Sequence, residues 1–555
     1  MISLLLVSSC RCGDNGGELA SAVPAPKPAP EPPPGLLADW AVGEPKAFWS
    51  QVHGMASGPM RTLPSNPELL LTNSLGLPAL SAGFFDLTSA VVGVLLDRHP
   101  RAPALVLAVR VSSGRELVAL LTSGAAPSFK VKSLASGYQV LDPVEADRAL
   151  QLAVLNNHLV VSTDKHVEPK VARYLVENLA GQPAPAGALT LTSRRAELKG
   201  PVSKLLQARW AQYRQELTRL EREARAQQAG RAPDFADPAA VQTALGAGVD
   251  AMLELLDTSR QLRFSVAPGA QHWTLRLELE PEPRGTANDL VMNQVMGPAE
   301  PLKRLPAAAA VAVLAMSSGE QRSQGARETL AQLGQLFGAR LDEPTRTRVG
   351  RVLQNLAAGR GDSMQAGLVL GQSPGIIAQG RVANADQLAS ALNELPQLLT
   401  SQVFSEPLGD WLGPVRVKAP PRHPFDGGFL LAFGPGGRFG KLLASGLASF
   451  WHVSDAEFHV SLGPPPGTAL MQRSQKPEAT LGDLAPVADA LERVEDSSLV
   501  ALIRTEVLGL VKAEGPPGAE GILTLNVGRH DQTGFLRVEV PVKLLQASIT
   551  AAVQP

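Results

Sequence analysis

Cysteine is confined to Cys10 and Cys12, within the first dozen of 555 residues, so the body of the protein has no thiol for a disulfide, a metal ligand or a nucleophile. Aromatic residues make up only 4% of the chain, thin provision for the stacking platforms that read single-stranded nucleic acids. Neither sign of charge predominates: 51 Lys and Arg face 52 Asp and Glu, which leaves no global field to hold nucleic acid or an anionic membrane surface. Long apolar runs are missing too. The longest, residues 87–96 and 307–316, fall far short of the ~20 residues that a spanning helix needs. What the chain has is aliphatic: 44% of residues are hydrophobic, and with few aromatics the core must be built mostly from Leu, Val and Ala. At this length one core does not usually serve the whole chain, which predicts two or more domains.

The N-terminal run Leu4, Leu5, Leu6, Val7, Ser8, Ser9 ends at Cys10, and residues 13–36 are rich in Gly, Ala and Pro, including Pro24, Pro26, Pro28, Pro30, Pro32, Pro33 and Pro34. The first run resembles the lipobox of bacterial lipoproteins, a short apolar stretch and small residues before the cysteine that becomes lipidated. The resemblance implies a signal peptide over residues 1–9, lipidation at Cys10 and a membrane partner held through the acyl chain. It departs from the family in lacking a basic n-region and in the shortness of its apolar stretch, and a start codon assigned too far downstream would account for both. The proline run favours extended polyproline II at about 3.1 Å per residue, so residues 10–36 are expected to form a semi-rigid tether. Arg11 stands where retention at the inner membrane would call for Asp in some lipoproteins. By that resemblance the protein belongs to the outer membrane of the cell envelope, facing the periplasm or the exterior.

Two segments of the body match. Leu105-Val-Leu-Ala-Val-Arg-Val-Ser-Ser and Ile376-Ile-Ala-Gln-Gly-Arg-Val-Ala-Asn each run from an apolar strand through Arg-Val to small polar residues, where Ser112, Ser113 and Asn384 can cap a following helix. A second pair, Trp273-Thr-Leu-Arg-Leu-Glu-Leu-Glu-Pro281 and Phe535-Leu-Arg-Val-Glu-Val-Pro541, alternates apolar and charged residues with period two, which predicts antiparallel strands with one buried and one wet face. Each follows another alternating run, 262–266 and 522–527, as in a hairpin. Asn156-Asn157 marks a further hairpin, since Asn tolerates positive φ. The spacing of these matches predicts an α+β fold of two tandem, duplicated lobes, 37–290 and 291–555, each with an antiparallel sheet and packed helices including a long helical hairpin. The helical stripe Leu206, Trp210, Tyr213, Leu217, Leu220 steps by four and three, and residues 241–256 follow it; this pair is expected to bury its stripe on its own sheet. A comparable pair spans 322–341 and 345–358.

Three motifs suggest chemistry. Gly371-Gln-Ser-Pro-Gly375 has the G-x-S-x-G spacing of a nucleophile elbow, but Pro374 lacks the N–H that an oxyanion hole needs after Ser373, and a strand rather than a helix follows. Gly434-Pro-Gly-Gly-Arg-Phe-Gly-Lys441 lies between strand and helix like a phosphate loop, with the wrong glycine spacing and Leu442 where a magnesium-binding hydroxyl belongs. His452, Asp455, Glu457 and His459 are the densest set of ligand types, with imidazole and carboxylates suited to zinc; the same alternation describes a half-exposed strand with a polar face, and no cofactor or metal is assigned. The whole chain resembles secreted proteins of Gram-negative bacteria with repeated strand-helix units, a resemblance that implies no activity. The expectation is a non-enzymatic envelope lipoprotein that binds an unknown protein or a small apolar ligand, with no nucleic-acid partner. Its alternatives are an extracytoplasmic hydrolase and a lipid carrier.

Overall fold

The computed structural model describes residues 30–553 except 56–60, 99–101, 124–127, 135–136, 145–149, 165–167, 228–237, 372, 407–412, 435–445 and 510–520. The expected signal peptide, Cys10 and most of the tether therefore lie outside the described residues. The fold is α+β. Alternating apolar sequence forms strands β1 (Leu36–Val42), β2 (Val91–Leu96), β3 (Ala104–Arg110), β4 (Phe129–Leu134), β5 (Tyr138–Pro143), β6 (Gln151–Leu155), β7 (His158–Ser162), β8 (Leu189–Arg194), β9 (Ser259–Ala267) and β10 (His272–Pro281) in the first half. The second half supplies β11 (Ala309–Met316), β12 (Arg360–Val369), β13 (Gly375–Val382), β14 (Val415–Lys418), β15 (Gly427–Phe433), β16 (Leu447–Val453), β17 (Glu457–Gly463), β18 (Leu499–Arg504), β19 (Ile522–His530) and β20 (Thr533–Pro541).

Among the described residues twenty strands join one sheet, and these strands pair antiparallel. From its outer edge inward the first half runs β4-β5-β6-β7-β3-β2-β1-β8-β9-β10. The second half runs β14-β15-β16-β17-β13-β12-β11-β18-β19-β20, the same connectivity. The halves meet where β10 pairs with β20, with Arg276 directly opposite Arg537. Tight turns hold the hairpins in register: Asn156, between β6 and β7, takes φ 53°, the left-handed region that Asn reaches readily.

Helices α1 (Pro45–Gly54), α2 (Pro67–Ser74), α3 (Gly114–Thr122) and α4 (Pro169–Arg173) belong to the first half, with α5 (Ser203–Gln227), α6 (Pro238–Asp257) and α7 (Thr286–Met292). The second half carries α8 (Gly319–Phe337), α9 (Glu343–Gly359), α10 (Ala385–Leu399), α11 (Thr468–Gln475), α12 (Ala485–Glu492) and the C-terminal α13 (Val542–Val553). The two strand-cap-helix units are built alike. The Ser113 hydroxyl accepts from the N–H of Glu116 at the start of α3, and Asn384 Oδ1 accepts from that of Gln387 in α10, each cap contributing about 1 kcal/mol. One apolar cluster joins β2, β3 and β5 to α4, a second joins β3, β6 and β7 to α3, and both lie within residues 36–179. The clusters of the second half lie within residues 299–522, apart from those of the first.

The expectation that α5 and α6 bury their stripe on the sheet is corrected. Between Ser203 and Arg219 α5 buries no side chain, and Tyr213, a stripe residue, is 53% exposed. Among its described residues α6 buries only Leu256. The two helices meet each other where Trp210 faces Gly246. Their surface is held by Arg219 pairing with Glu216 and with Glu223, partners three and four residues apart on one helix face, so α5 gains stability locally rather than by docking.

Two charge clusters pin the sheet. Asp39 on β1 is buried, accepts from the Tyr174 hydroxyl at 3.1 and 3.2 Å, and pairs with Arg194 at the end of β8. Burial, and then the Asp39 carboxylate, push the Tyr174 hydroxyl well above its usual range, which keeps it a donor. At the seam Arg276 reaches Glu278 at 2.9 Å and Arg537 reaches Glu539 at 2.5 Å, each on its own strand, while Glu495 lies 2.9 Å from Arg276 and 3.1 Å from Arg537. Glu539 also accepts from Arg493 at 2.9 Å.

Removing one partner of a buried pair strands the other charge. Arg194→Ala, which leaves the Asp39 carboxylate buried without its cation, is expected to destabilise by about 3 kcal/mol, against about 1 kcal/mol for Asp39→Asn, which frees a guanidinium that can rehydrate. Glu539→Ala is expected to cost about 3 kcal/mol, because Arg493 and Arg537 lose a carboxylate that water hardly reaches. Urea unfolding measures all three; a larger loss in Asp39→Asn than in Arg194→Ala would contradict the first expectation, and a loss below about 1 kcal/mol the second.

Candidate functional site on an apolar sheet face

Strand pairing assigns every side chain around the seam to one of two faces. Leu262, Phe264 and Val266 of β9 share a face with Leu275, Leu277 and Leu279 of β10, which share it with Leu536, Val538 and Val540 of β20. The same face continues through Leu523, Leu525 and Val527 of β19, Leu499, Ala501 and Ile503 of β18, and Val311 and Val313 of β11. Every one of these side chains is only half-buried. Further out the exposure rises, with Leu368 on β12 at 37% and its cross-strand partner Ile376 on β13 at 50%.

The opposite face inverts the usual rule. In β19 and β20, Thr524, Asn526 and Glu539 are 1–2% exposed, more deeply buried than the Leu and Val that alternate with them. The reason is the cover: α12 and the turn Glu300–Arg304 pack on that side of β18 and β19 through Leu302, Val487 and Ala490. On the apolar side contacts come at strand ends, Val291 of α7 against Gly534, Met292 of α7 at 3.6 Å from the Arg529 guanidinium, and Met55 beside the indole N–H of Trp273. Six strands at about 4.8 Å, each with its row spread over about five residues at about 3.4 Å, give a field of about 29 Å by 17 Å. A contiguous, incompletely covered aliphatic field of this footprint is the kind of surface that marks a binding site on a protein. The arrangement can exclude water from aliphatic groups.

The residues singled out by sequence do not converge. His452 on β16 lies opposite His459 on β17, but its Nδ1 is 3.0 Å from Asp426, while His459 is buried with Nδ1 3.2 Å from the Ser474 hydroxyl on α11. Glu457 Oε1 is 3.6 Å from His459 Nε2 with its side chain largely in solvent, and Asp455 sits in the turn before β17. Among the described residues no three His, Cys, Asp or Glu side chains could together hold a metal ion. Ser373 lies in the turn that joins β12 to β13, whose Val369 and Gly375 are paired, and a strand follows it. The glycine loop beyond Gly434 lies outside the described residues. Burial pushes the His459 imidazole below its ordinary range, more than the neighbouring Glu457 raises it, and His158 and His272 are lowered by burial as well. The folded protein thus keeps these rings neutral at pH values where the unfolded chain, with an imidazole pKa of about 6.5, takes up protons. Stability is expected to hold from pH 8 down to about 6.5 and to fall below it, and the fall to be smaller in His459→Gln; equal slopes in thermal unfolding of both proteins would contradict this assignment.

No protein-family model matches the chain, and no curated protein matches it. Among solved structures it is similar to three crystal forms of TP0453. Form I aligns at 9% identity over 48% of this chain and 85% of that one, with a TM-score of 0.23. Form III aligns at 8% identity over 48% and 86%, and form IV at 8% over 44% and 77%, both with TM-scores of 0.22. A likeness this shallow assigns this chain neither a ligand nor a place in the cell.

Proposed function

We propose that the protein is a non-enzymatic, lipid-anchored lipoprotein of the cell envelope, and that its two halves jointly hold an apolar, acyl-chain-bearing ligand on the sheet face that spans their seam. The observation that carries this reading is the inverted burial of β18, β19 and β20, where the aliphatic row is the less covered one. Leaving that row incompletely covered forgoes about 25 cal/mol per Å² of apolar area still in water, an energy that an aliphatic ligand recovers on docking. The anchor rests on the lipobox resemblance at Cys10 and on the proline run behind it, which would hold the face at a distance from the bilayer. A lipid carrier, the alternative reading, would use the same face.

We infer in addition that residues 37–290 and 291–555 are copies of one ancestral lobe. Supporting this are the shared strand order, the matched caps at Ser113 and Asn384, and the Arg-x-Glu step of Arg276 and Glu278 repeated by Arg537 and Glu539. A ligand face formed by the last strands of both copies would require the pair rather than either lobe.

Binding of 1-N-phenylnaphthylamine, a neutral apolar probe, tests the reading on the full chain. The wild-type protein should enhance its fluorescence saturably, and Leu277→Lys or Val538→Lys should weaken binding at least tenfold while lowering the melting temperature by only a few degrees. Unaltered probe binding in both variants would overturn the proposal, as would outright unfolding of both, which would show the face to be an ordinary packed core.

A further inference from the structure

Beside the apolar face, where its floor passes under the helices of the second half, lies a cavity of about 660 Å³, within the about 300–1,000 Å³ that small-molecule sites occupy. Its floor is Met364 of β12 and Val460 of β17, which lie on the same side of the sheet as Val313, Ala315 and Ala378. Its walls include Leu356 of α9 and Leu388 of α10. Two arginines enter this mainly aliphatic space, Arg322 from α8 and Arg360 from the first position of β12, and Ser317, Gln321, Thr329 and Phe458 also line it.

Arg322 is accounted for. It is buried, its Nε donates to the Ala357 carbonyl at 2.9 Å, and its Nη1 donates to the Ser317 carbonyl at 2.5 Å and to Asp362 at 2.9 Å. Arg360 is not. Among the described residues its guanidinium makes one hydrogen bond, from Nη1 to the Met364 sulfur at 3.1 Å, and no ion pair. Burial, and then the neighbouring Arg322 charge, depress its pKa, the direction expected of a cation placed in an apolar wall beside another cation. A guanidinium carries a fork of donors that a thioether cannot satisfy, so the half-buried Arg360 keeps donors available to an anion that enters the cavity. A carboxylate completes such a fork with two parallel hydrogen bonds.

Resting on the apolar-ligand reading above, we propose that this cavity is the head-group end of the ligand site: Arg360, with Arg322 beside it, binds the carboxylate of a long-chain fatty acid whose aliphatic tail runs over Met364 and Val460 onto the open sheet face. The occupant is a single-chain anion, because the cavity offers a cation beside a lining in which aliphatic side chains predominate.

Calorimetric titration of the full chain with palmitate, with hexadecanol, which has the chain but no charge, and with lysophosphatidic acid tests it. Palmitate should bind at least tenfold more tightly than hexadecanol. Arg360→Met should abolish that preference while leaving hexadecanol affinity within twofold, and Arg360→Lys, which keeps charge and fold but not the fork, should fall between. A preference for palmitate that survives in Arg360→Met would overturn the head-group site, and equal binding of palmitate and hexadecanol by the wild-type protein would do the same. Tighter, Arg360-dependent binding of lysophosphatidic acid would overturn the carboxylate in favour of a phosphate. If the wild-type protein binds none of the three and does not take up the naphthylamine probe, the apolar-face reading itself fails.

Discussion

The pairing of β10 with β20 is the constraint on which the rest of the architecture depends. It places Arg276 opposite Arg537, and like charges directly across a strand pair normally destabilise it. Here each guanidinium has a carboxylate two residues along its own strand and both share Glu495, so the repulsion is replaced by an alternating ladder. Glu495 lies in the segment after α12 and ties it to the seam. The two halves join by backbone hydrogen bonds, by charge and by the contact of Val291 with Gly534, while the main apolar clusters remain separate and the sheet itself is continuous.

That continuity decides which surface the protein offers. A strand pair joined edge to edge extends both faces at once, and the helices that follow β17 cover the polar side of β18 and β19. The Leu and Val rows of β9, β10, β20, β19 and β18 are left to form one field across the seam. Neither half carries this field alone, since five of its strands are drawn from both. The cavity under α8, α9 and α10 lies along one margin of the same field, so the charged end and the aliphatic expanse belong to one continuous floor.

Local chemistry was well expressed in the sequence. The caps at Ser113 and Asn384, the Asn156-Asn157 turn and the hairpins that contain residues 262–266 and 522–527 all depend on neighbours a few positions away, and they stand where their residues imply. The objection to Ser373 was also local, and a hairpin turn occupies the segment. The long stripe on α5 misled because periodicity shows that a helix has an apolar side without showing that anything lies against it. Likewise His452, Asp455, Glu457 and His459 are close in sequence, yet the turn before β17 and the packing of α11 on His459 send them to different surroundings. Arg322 and Arg360 gave no signal at all, being 38 residues apart in a chain with dozens of other arginines and lysines.

By itself, then, the amino-acid order determined the strand and helix segments, their caps and turns, the repeated Arg-x-Glu step and the absence of thiol chemistry in the body, because each is a matter of local conformational preference or of composition. Only the tertiary structure decided that two halves of like strand order would share one sheet, that the aliphatic side of its central strands would be the less covered one, and that Arg360 would stand in a mainly aliphatic cavity with no ion pair among the described residues. Alternation fixes that a strand has two unlike faces; what covers each face is set by segments hundreds of residues away, which no local pattern encodes.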